Sequence, residues 1–408
     1  MTRGIESIVG AGLCSGCGLC AGVAPGGPIA MRVSDDGYNR PVRSGAVPKA
    51  QAELVDAACP GLNIVHGAEQ TGAPRHPVWG PVIETKLGWS TDAELRRNAS
   101  SGGGLSAMLI HLLASGEIDY VVQTAVSDDS PVRNALRIST GRDDVFHSAG
   151  SRYAPSSPLA DISARLDAPG RFVFVGKPCD VAALRNLARH DPRVDAKVPY
   201  MLAFMCAGVP SYKGTETVLK AMGVTDSSAV VSFRFRGDGW PGFATAVLGD
   251  GTRFTMDYNT SWGTILNRFL QFRCKICPDG IGEFADITFA DGWHCDEKGY
   301  PLFEETDGRS LVVTRTAKGA ALFARAEAAG HAASEPVPLD SLRHMQPFQA
   351  KRKGLVLSRV AAMMTVGHRP PRFRGLSLTR NMRMLGAKAN AKSYLGTLRR
   401  LVRRRNPA

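Results

Sequence analysis

Cys14, Cys17 and Cys20 stand in the run Cys14-Ser-Gly-Cys17-Gly-Leu-Cys20. In bacterial ferredoxins this C-x₂-C-x₂-C spacing gives three thiolates to one 4Fe–4S cube, and a Cys-Pro completes ligation of a cluster. The candidate nearby is Cys59-Pro60. Gly16 and Gly18 let the backbone turn tightly around a cube and aim amides at its sulfides. Soft thiolates suit zinc as well, but structural zinc sites draw on two separated Cys/His pairs. The triple therefore reads first as cluster ligands.

A second group is dispersed. Cys179 lies in Gly176-Lys177-Pro178-Cys179, Cys206 precedes Ala207-Gly208-Val209-Pro210, and Cys274 and Cys277 form a CxxC before Pro278-Asp279-Gly280. Spacing alone leaves two readings: a second cluster held from Gly/Pro loops, or two core cysteines plus a redox-active dithiol. Cys295, in Asp291-Gly292-Trp293-His294-Cys295, reads as a free thiol. Nine clustered cysteines in a chain of 408 residues are no disulfide framework. Reduced thiols with a metal point to a reducing compartment, the cytoplasm.

The elements that must position these residues follow from periodicity. Residues 1–75 are loop-rich and read as a small ferredoxin-like iron–sulfur segment. Beyond the prolines at 74, 77 and 81 the pattern alternates. Leu105–Ser115, Val181–His190 and Ala317–Ala329 read as helices, and Tyr120–Val126, Arg171–Val175, Pro199–Cys206, Ala285–Ala290 and Leu311–Arg315 as strands. Phe233–Arg236, Ala244–Leu248 and Thr252–Asp257 look antiparallel, the last two joined by Gly-Asp-Gly. The expected class is α/β (α+β), a mixed sheet with flanking helices. The expected divisions are an iron–sulfur segment at 1–75, a flavin-binding part at 76–170, a catalytic and iron–sulfur part at 171–345, and a basic tail at 346–408.

Arg97-Asn98-Ala99-Ser100-Ser101-Gly102-Gly103-Gly104 leads directly into the first of those helices. Successive glycines expose amides, and a helix N-terminus favours an anion. The loop is a phosphate site or only a connector; it has neither the Lys of a P-loop nor a G-x-G-x-x-G. Ser151-Arg152-Tyr153 offers a hydroxyl, a cation and a ring, as a flavin nucleotide requires, or forms a capped turn. His111 and His294 read as structural or surface residues, which leaves the proton donor unassigned.

The net charge of +13 is local. Residues 341–408 carry 17 basic and no acidic side chains, on a body that is slightly acidic. In Lys388–Arg405, Tyr394, Leu395, Leu398, Leu401 and Val402 recur at helical spacing among arginines. Such a stretch is a solvated terminus, an amphipathic helix on an anionic membrane face, or a dock for an acidic partner. Aromatic residues that stack bases are sparse there, which argues against nucleic acid. Hydrophobic residues at 44% and charged ones at 21% are ordinary for a globular chain. No apolar run of about 18 residues exists to span a bilayer. The uncharged stretch 7–31 is too rich in glycine and proline to read as a signal or anchor.

Taken in order, the triple, Ser100–Gly104, Ser151-Arg152-Tyr153, Val175-Gly176-Lys177-Pro178-Cys179-Asp180, Cys206-Ala207-Gly208-Val209-Pro210-Ser211, Cys274-Lys275-Ile276-Cys277 and Ala285-Asp286-Ile287-Thr288 resemble one family. It is the beta subunit of hydrogenases and dehydrogenases that use the deazaflavin coenzyme factor 420. Its relatives include 7-hydroxymethyl chlorophyll a reductase and ferredoxin-dependent divinyl chlorophyllide reductase. The resemblance runs to about residue 345. It implies FAD and two 4Fe–4S clusters, ligated by Cys14, Cys17, Cys20 and Cys59, and by Cys179, Cys206, Cys274 and Cys277. It also implies flavin contacts at Asn98, Ser100, Ser101, Gly102, Gly103, Gly104, Ser151, Arg152, Tyr153 and Lys177. The expected activity passes electrons between a ferredoxin-like donor, or another redox subunit, and a small organic substrate or deazaflavin. The alternative is an electron-transfer subunit without chemistry of its own.

Overall fold

The structure, a computed structural model, describes residues 4–67, 73–296, 302 and 304–405, with side chains through Val402. Eight strands form the central sheet. In chain order they are Glu84–Ser90 (β1), Tyr120–Ser127 (β2), Ser130–Ser139 (β3), Phe172–Gly176 (β4), Met201–Phe204 (β5), Ile287–Asp291 (β6), Ser310–Thr314 (β7) and Ala332–Pro336 (β8). Across the sheet they run β8-β1-β7-β6-β5-β4-β2-β3. The inner four, β2, β4, β5 and β6, are parallel, and the pairs outside them are antiparallel. This is the expected mixed sheet, and strands from both sides of residue 170 share it.

The apolar run Phe172-Val-Phe-Val-Gly is buried throughout, as a central parallel strand must be. Its alternate side chains feed two cores. Phe172 and Phe174 pack with Leu184 and Leu187 of Pro178–Ala188 (α2) and with Val356 of Val356–Thr365 (α4). Val173 and Val175 pack on the other face with Met108 and Leu112 of Gly104–Ala114 (α1) and Leu322 and Phe323 of Ala317–Ala328 (α3). Asp286, fully buried, ties the layers together. Its carboxylate accepts from Arg185 at 2.9 Å, from the Met201 amide at 2.8 Å and from Thr316 at 2.9 Å.

Three strands of the sheet escape periodicity. β3 carries Arg133, Asn134 and Arg137 because it is a half-exposed edge, and edges favour charge. β1 and β8 hold Gly88 and Glu335, so neither shows a clean alternation. The small antiparallel sheet forms as expected, except that its first strand is Val230–Arg234. The basic tail is not a solvated terminus. Pro347–Gly354, α4 and the long helix Leu378–Arg405 (α5), kinked at Gly386, fold back on the body.

Lys353 anchors that return. Its buried ammonium donates to Glu283 and to the Val78 carbonyl at 2.9 Å, while His66 meets Glu283 at 3.0 Å. Burial alone would raise the Glu283 carboxyl; Lys353 and His66 outweigh it and draw it down to about 2. A carboxyl depressed in the fold stabilises above its unfolded value of about 4.3, and that contribution is lost as pH falls through the folded value. Lys353→Met is expected to cost about 3–5 kcal/mol in urea unfolding at neutral pH by stranding a buried charge. The difference between variant and native chain should shrink between about pH 4 and pH 2; a difference flat across that range rules out the pairing.

Candidate functional site

The first four cysteines converge. Cys14, Cys17, Cys20 and Cys59 line one cavity with Ser15, Gly18 and Leu19, in the N-terminal segment. Gly18 is left-handed (φ 87°), and a Cβ there would lie 2.8 Å from the Ala160 amide, so only glycine lets the loop lie so close to that backbone. Burial pushes Cys20 up to about 12, helped by the charges of Cys14 and Cys59. Burial likewise raises Cys59 to about 11, with Cys14 adding, and lifts Cys17 well above the usual thiol range. None of the nine cysteines forms a disulfide.

The second four converge as well, at the C-terminal ends of parallel strands. β4 runs into Lys177-Pro178-Cys179 and β5 into Met205-Cys206, while Cys274 and Cys277 arrive on the short helix Phe272–Lys275 and the turn after it. Burial pushes Cys206 up to about 12, with Cys274 and Cys277 adding, and burial raises Cys179, which also feels Cys206 and Cys277. The Val209 amide donates to the Cys274 sulfur at 3.3 Å. Among the described residues no three His, Cys, Asp or Glu side chains close on a single metal ion. A cube spreads its four thiolates wider than a lone zinc with Zn–S bonds of about 2.3 Å.

The two sets are neighbours. Arg273, buried, donates to the Pro60 carbonyl at 2.8 Å, and its charge reaches both Cys59 and Cys277. Gln271 donates to the Ser15 carbonyl at 3.1 Å and accepts from Arg40 at 2.9 Å. Lys177 also sits at this junction. Burial alone would lower its ammonium; Asp180 at 2.7 Å and Cys179 outweigh it, and its pKa is raised. Its third contact is Ser156 at 2.8 Å.

The glycine loop lies on the same end of the sheet. Ser101 donates to the Ala290 carbonyl at 3.0 Å, and the Ser151 amide donates to Ser100 Oγ at 2.5 Å. Gly102 and Gly103 are left-handed (φ 71° and 72°). Among the described residues the amides of Ser101, Gly102 and Gly103 donate to no protein acceptor, so N–H groups stand free at the start of α1. Two predicted contacts are already engaged. Arg152 donates to Asn134 at 2.9 Å and to the carbonyls of Phe233, Pro131 and Arg133, and Asn98 accepts from Arg234 at 2.6 Å. Asn98 ties the loop to Arg234, and Arg152 ties its own segment to β3 and Phe233, so neither is a free donor. Tyr153 packs on Phe235 and Trp262.

Beside this loop is a cluster that the sequence reading passed over. Arg236 pairs with Asp291 through both nitrogens at 2.8 Å, with its guanidinium 4.6 Å from the Tyr258 ring and 4.9 Å from Trp293. Trp240 stacks on Trp293 at 4.9 Å and donates to Asp291 at 3.1 Å. The signal was present: Asp-Gly-Trp occurs twice, at 238–240 and 291–293. His111 is buried near His331, His294 is exposed, and Cys295 donates to the His344 carbonyl at 3.1 Å.

Comparison with known proteins fixes the family. Residues 85–163 match the model of the coenzyme F420 hydrogenase/dehydrogenase beta subunit N-terminus, and residues 170–339 that of its C-terminus. The chain belongs to that family. It is 26% identical to the coenzyme F420 hydrogenase subunit beta of Methanococcus voltae, over 59% of this chain and 80% of that one. It is 24% identical to the coenzyme F420-dependent sulfite reductase of Methanocaldococcus jannaschii, over 85% of this chain and 50% of that longer enzyme. A chain of the F420-reducing NiFe hydrogenase complex from Methanosarcina barkeri shares the fold, with TM-score 0.58 and 22% identity over 73% of this chain and 98% of that one. Membership places the chain among oxidoreductase subunits. Among the described residues no helix is long and apolar enough to cross a membrane.

Gly102 offers a direct test of the loop. A Cβ there would meet the Gly308 carbonyl at 2.5 Å, whereas Gly116, with nearly the same φ of 69°, has nothing within 4 Å. Gly116→Ala is expected to cost about 1 kcal/mol of backbone strain. Gly102→Ala should cost about 3 kcal/mol, adding overpacking to that strain. Equal losses in urea unfolding would mean the loop is not packed against residues 308–309.

Proposed function

We propose that this chain is an FAD and 4Fe–4S oxidoreductase that takes single electrons from a ferredoxin-like donor or a redox subunit and delivers a hydride to a deazaflavin coenzyme or a small organic substrate. The observation that carries it is the gathering of eight cysteines into two adjacent, largely shielded sets in a member of this family. Cys14, Cys17, Cys20 and Cys59 would hold one cluster, and Cys179, Cys206, Cys274 and Cys277 the other. Clusters supply one-electron steps, and FAD joins two of them into a hydride transfer.

The protein's own part is electrostatic and positional. Burial disfavours bare thiolates, so these sulfurs suit a site where iron supplies the balancing charge. Arg273, between the sets, keeps a positive charge beside both. The free amides at Ser101–Gly103 and the positive end of α1 suit the flavin diphosphate. Ser100, Ser101, Gly104 and Ser151 form the wall of that cradle, held from behind by Asn98 and Arg152. Tyr153, half-buried, supplies flat apolar surface for a ring system, and Lys177 a fixed positive charge between cradle and cysteines.

The relatives are named as subunits, which favours one second reading: the chain passes electrons within a larger complex and performs no hydride chemistry. Turnover of a deazaflavin by the isolated chain with a chemical reductant separates the two.

Purified without oxygen, the chain should contain about eight irons with broad absorbance near roughly 400 nm, and about one releasable FAD. Cys20→Ser and Cys277→Ser should each lower iron to about four per chain, since each touches one set. A colourless, zinc-only preparation defeats the proposal.

A further inference from the structure

Family matching stops at residue 339, yet the remaining helices close over the second cysteine set. Arg352 donates to the Cys206 carbonyl at 3.0 Å and to that of Ala207. Arg359 donates to the Lys275 carbonyl at 2.6 Å and to Ser393 at 3.0 Å, which places α5 beside it. Arg400 donates to Thr397 at 3.3 Å, one turn along α5 from Ser393, and Lys275 donates to the Asn267 carbonyl at 3.3 Å. Among the described residues no carboxylate forms an ion pair with any of these four, and residues 341–408 contain none. Like charges brought together without counter-charge await an anion. Met364 and Leu395 are 56% and 53% exposed beside them, Thr365 and Tyr394 being hydrogen-bonded at 2.8 Å.

We propose that this face, Lys275, Arg352, Arg359 and Arg400 with Met364 and Leu395, docks an acidic one-electron carrier protein so that its redox group meets the second cysteine set. The inference rests on the redox reading above. The step would be a single electron passed from the reduced carrier to an iron centre that Cys179, Cys206, Cys274 and Cys277 would hold; the carrier would be oxidised and the centre reduced, with no bond or proton moved. Cations over an apolar patch suit an acidic protein surface with an apolar centre. A membrane fits less well. Of the apolar positions on α5, Leu395 and Val402 are exposed, but Leu401 is only 4% exposed and packs with Phe272 and Ile276, so the apolar stripe is divided between the body and solvent.

The test is binding of the full chain, purified without oxygen, to an acidic 4Fe–4S ferredoxin by calorimetry and stopped flow. Native binding should weaken steeply with salt. Arg399→Glu with Arg400→Glu, both exposed, should slow association about tenfold, and the matching Lys substitutions should preserve it. Iron content and melting temperature check that the variants fold. Affinity unmoved by charge reversal, or no ferredoxin binding by an iron-replete chain, overturns the proposal. So does charge-dependent sedimentation with phosphatidylglycerol vesicles when ferredoxin fails to bind. Docking intact on a chain lacking iron and flavin would keep this surface while sinking the cofactor reading.

Discussion

A thiolate shielded from water is a poorly compensated charge, and this chain brings one buried and seven half-buried thiols to one side of its sheet. Burial pushes Cys20 and Cys206 up to about 12, so at these two positions the bare polypeptide disfavours the thiolate. The surrounding groups counter that penalty only in part. The charges of Arg40, Arg273 and Arg352 reach individual cysteines, and Val209 and other loop amides point at sulfur. A soft, multiply charged centre, as proposed here, would complete the balance.

The constraint explains where the scaffold is rigid. Two parallel strands end at cysteine loops, and a third, β6, ends at Asp291, which fixes Arg236 and Trp240. Parallel strands offer their C-terminal ends as the place for sites, and here the N-terminal segment is pressed onto that end. The Leu159 amide donates to the Cys17 carbonyl at 3.0 Å, and Ser157 donates to the Gly16 carbonyl at 2.9 Å. Residues 151–159 therefore run from the glycine loop to the first cysteine set. One short segment couples the proposed flavin cradle to the proposed first cluster.

Much of this was legible from residue type and spacing because thiols are rare and their loops are marked by glycine and proline. The triple at 14–20 is local, so its convergence could be read directly; the second set is spread over about a hundred residues and needed the family resemblance. Buried strands such as Phe172–Gly176 announced themselves by unbroken apolarity. The edge strand β3 did not, because a half-exposed strand has no reason to be apolar. Arg152 and Asn98 carry chemistry-bearing side chains that the fold spends on carbonyls and on Arg234, a use that no motif encodes. Arg236 and its aromatic neighbours were missed because their meeting depends on tertiary contact between residues 236–240, Tyr258 and residues 291–293.

The basic tail shows how composition misleads when read without position. A run with 17 cations and no acid reads as a solvated appendage, yet Lys353 and Leu401 are buried, and Leu401 joins it to the core of Leu13, Phe272 and Ile276 beside Cys14 and Cys59. The charges therefore serve two ends. Lys353, inside, neutralises Glu283 and fixes the helices in place. Arg400, outside, is exposed, donates to Thr397 and meets no carboxylate among the described residues.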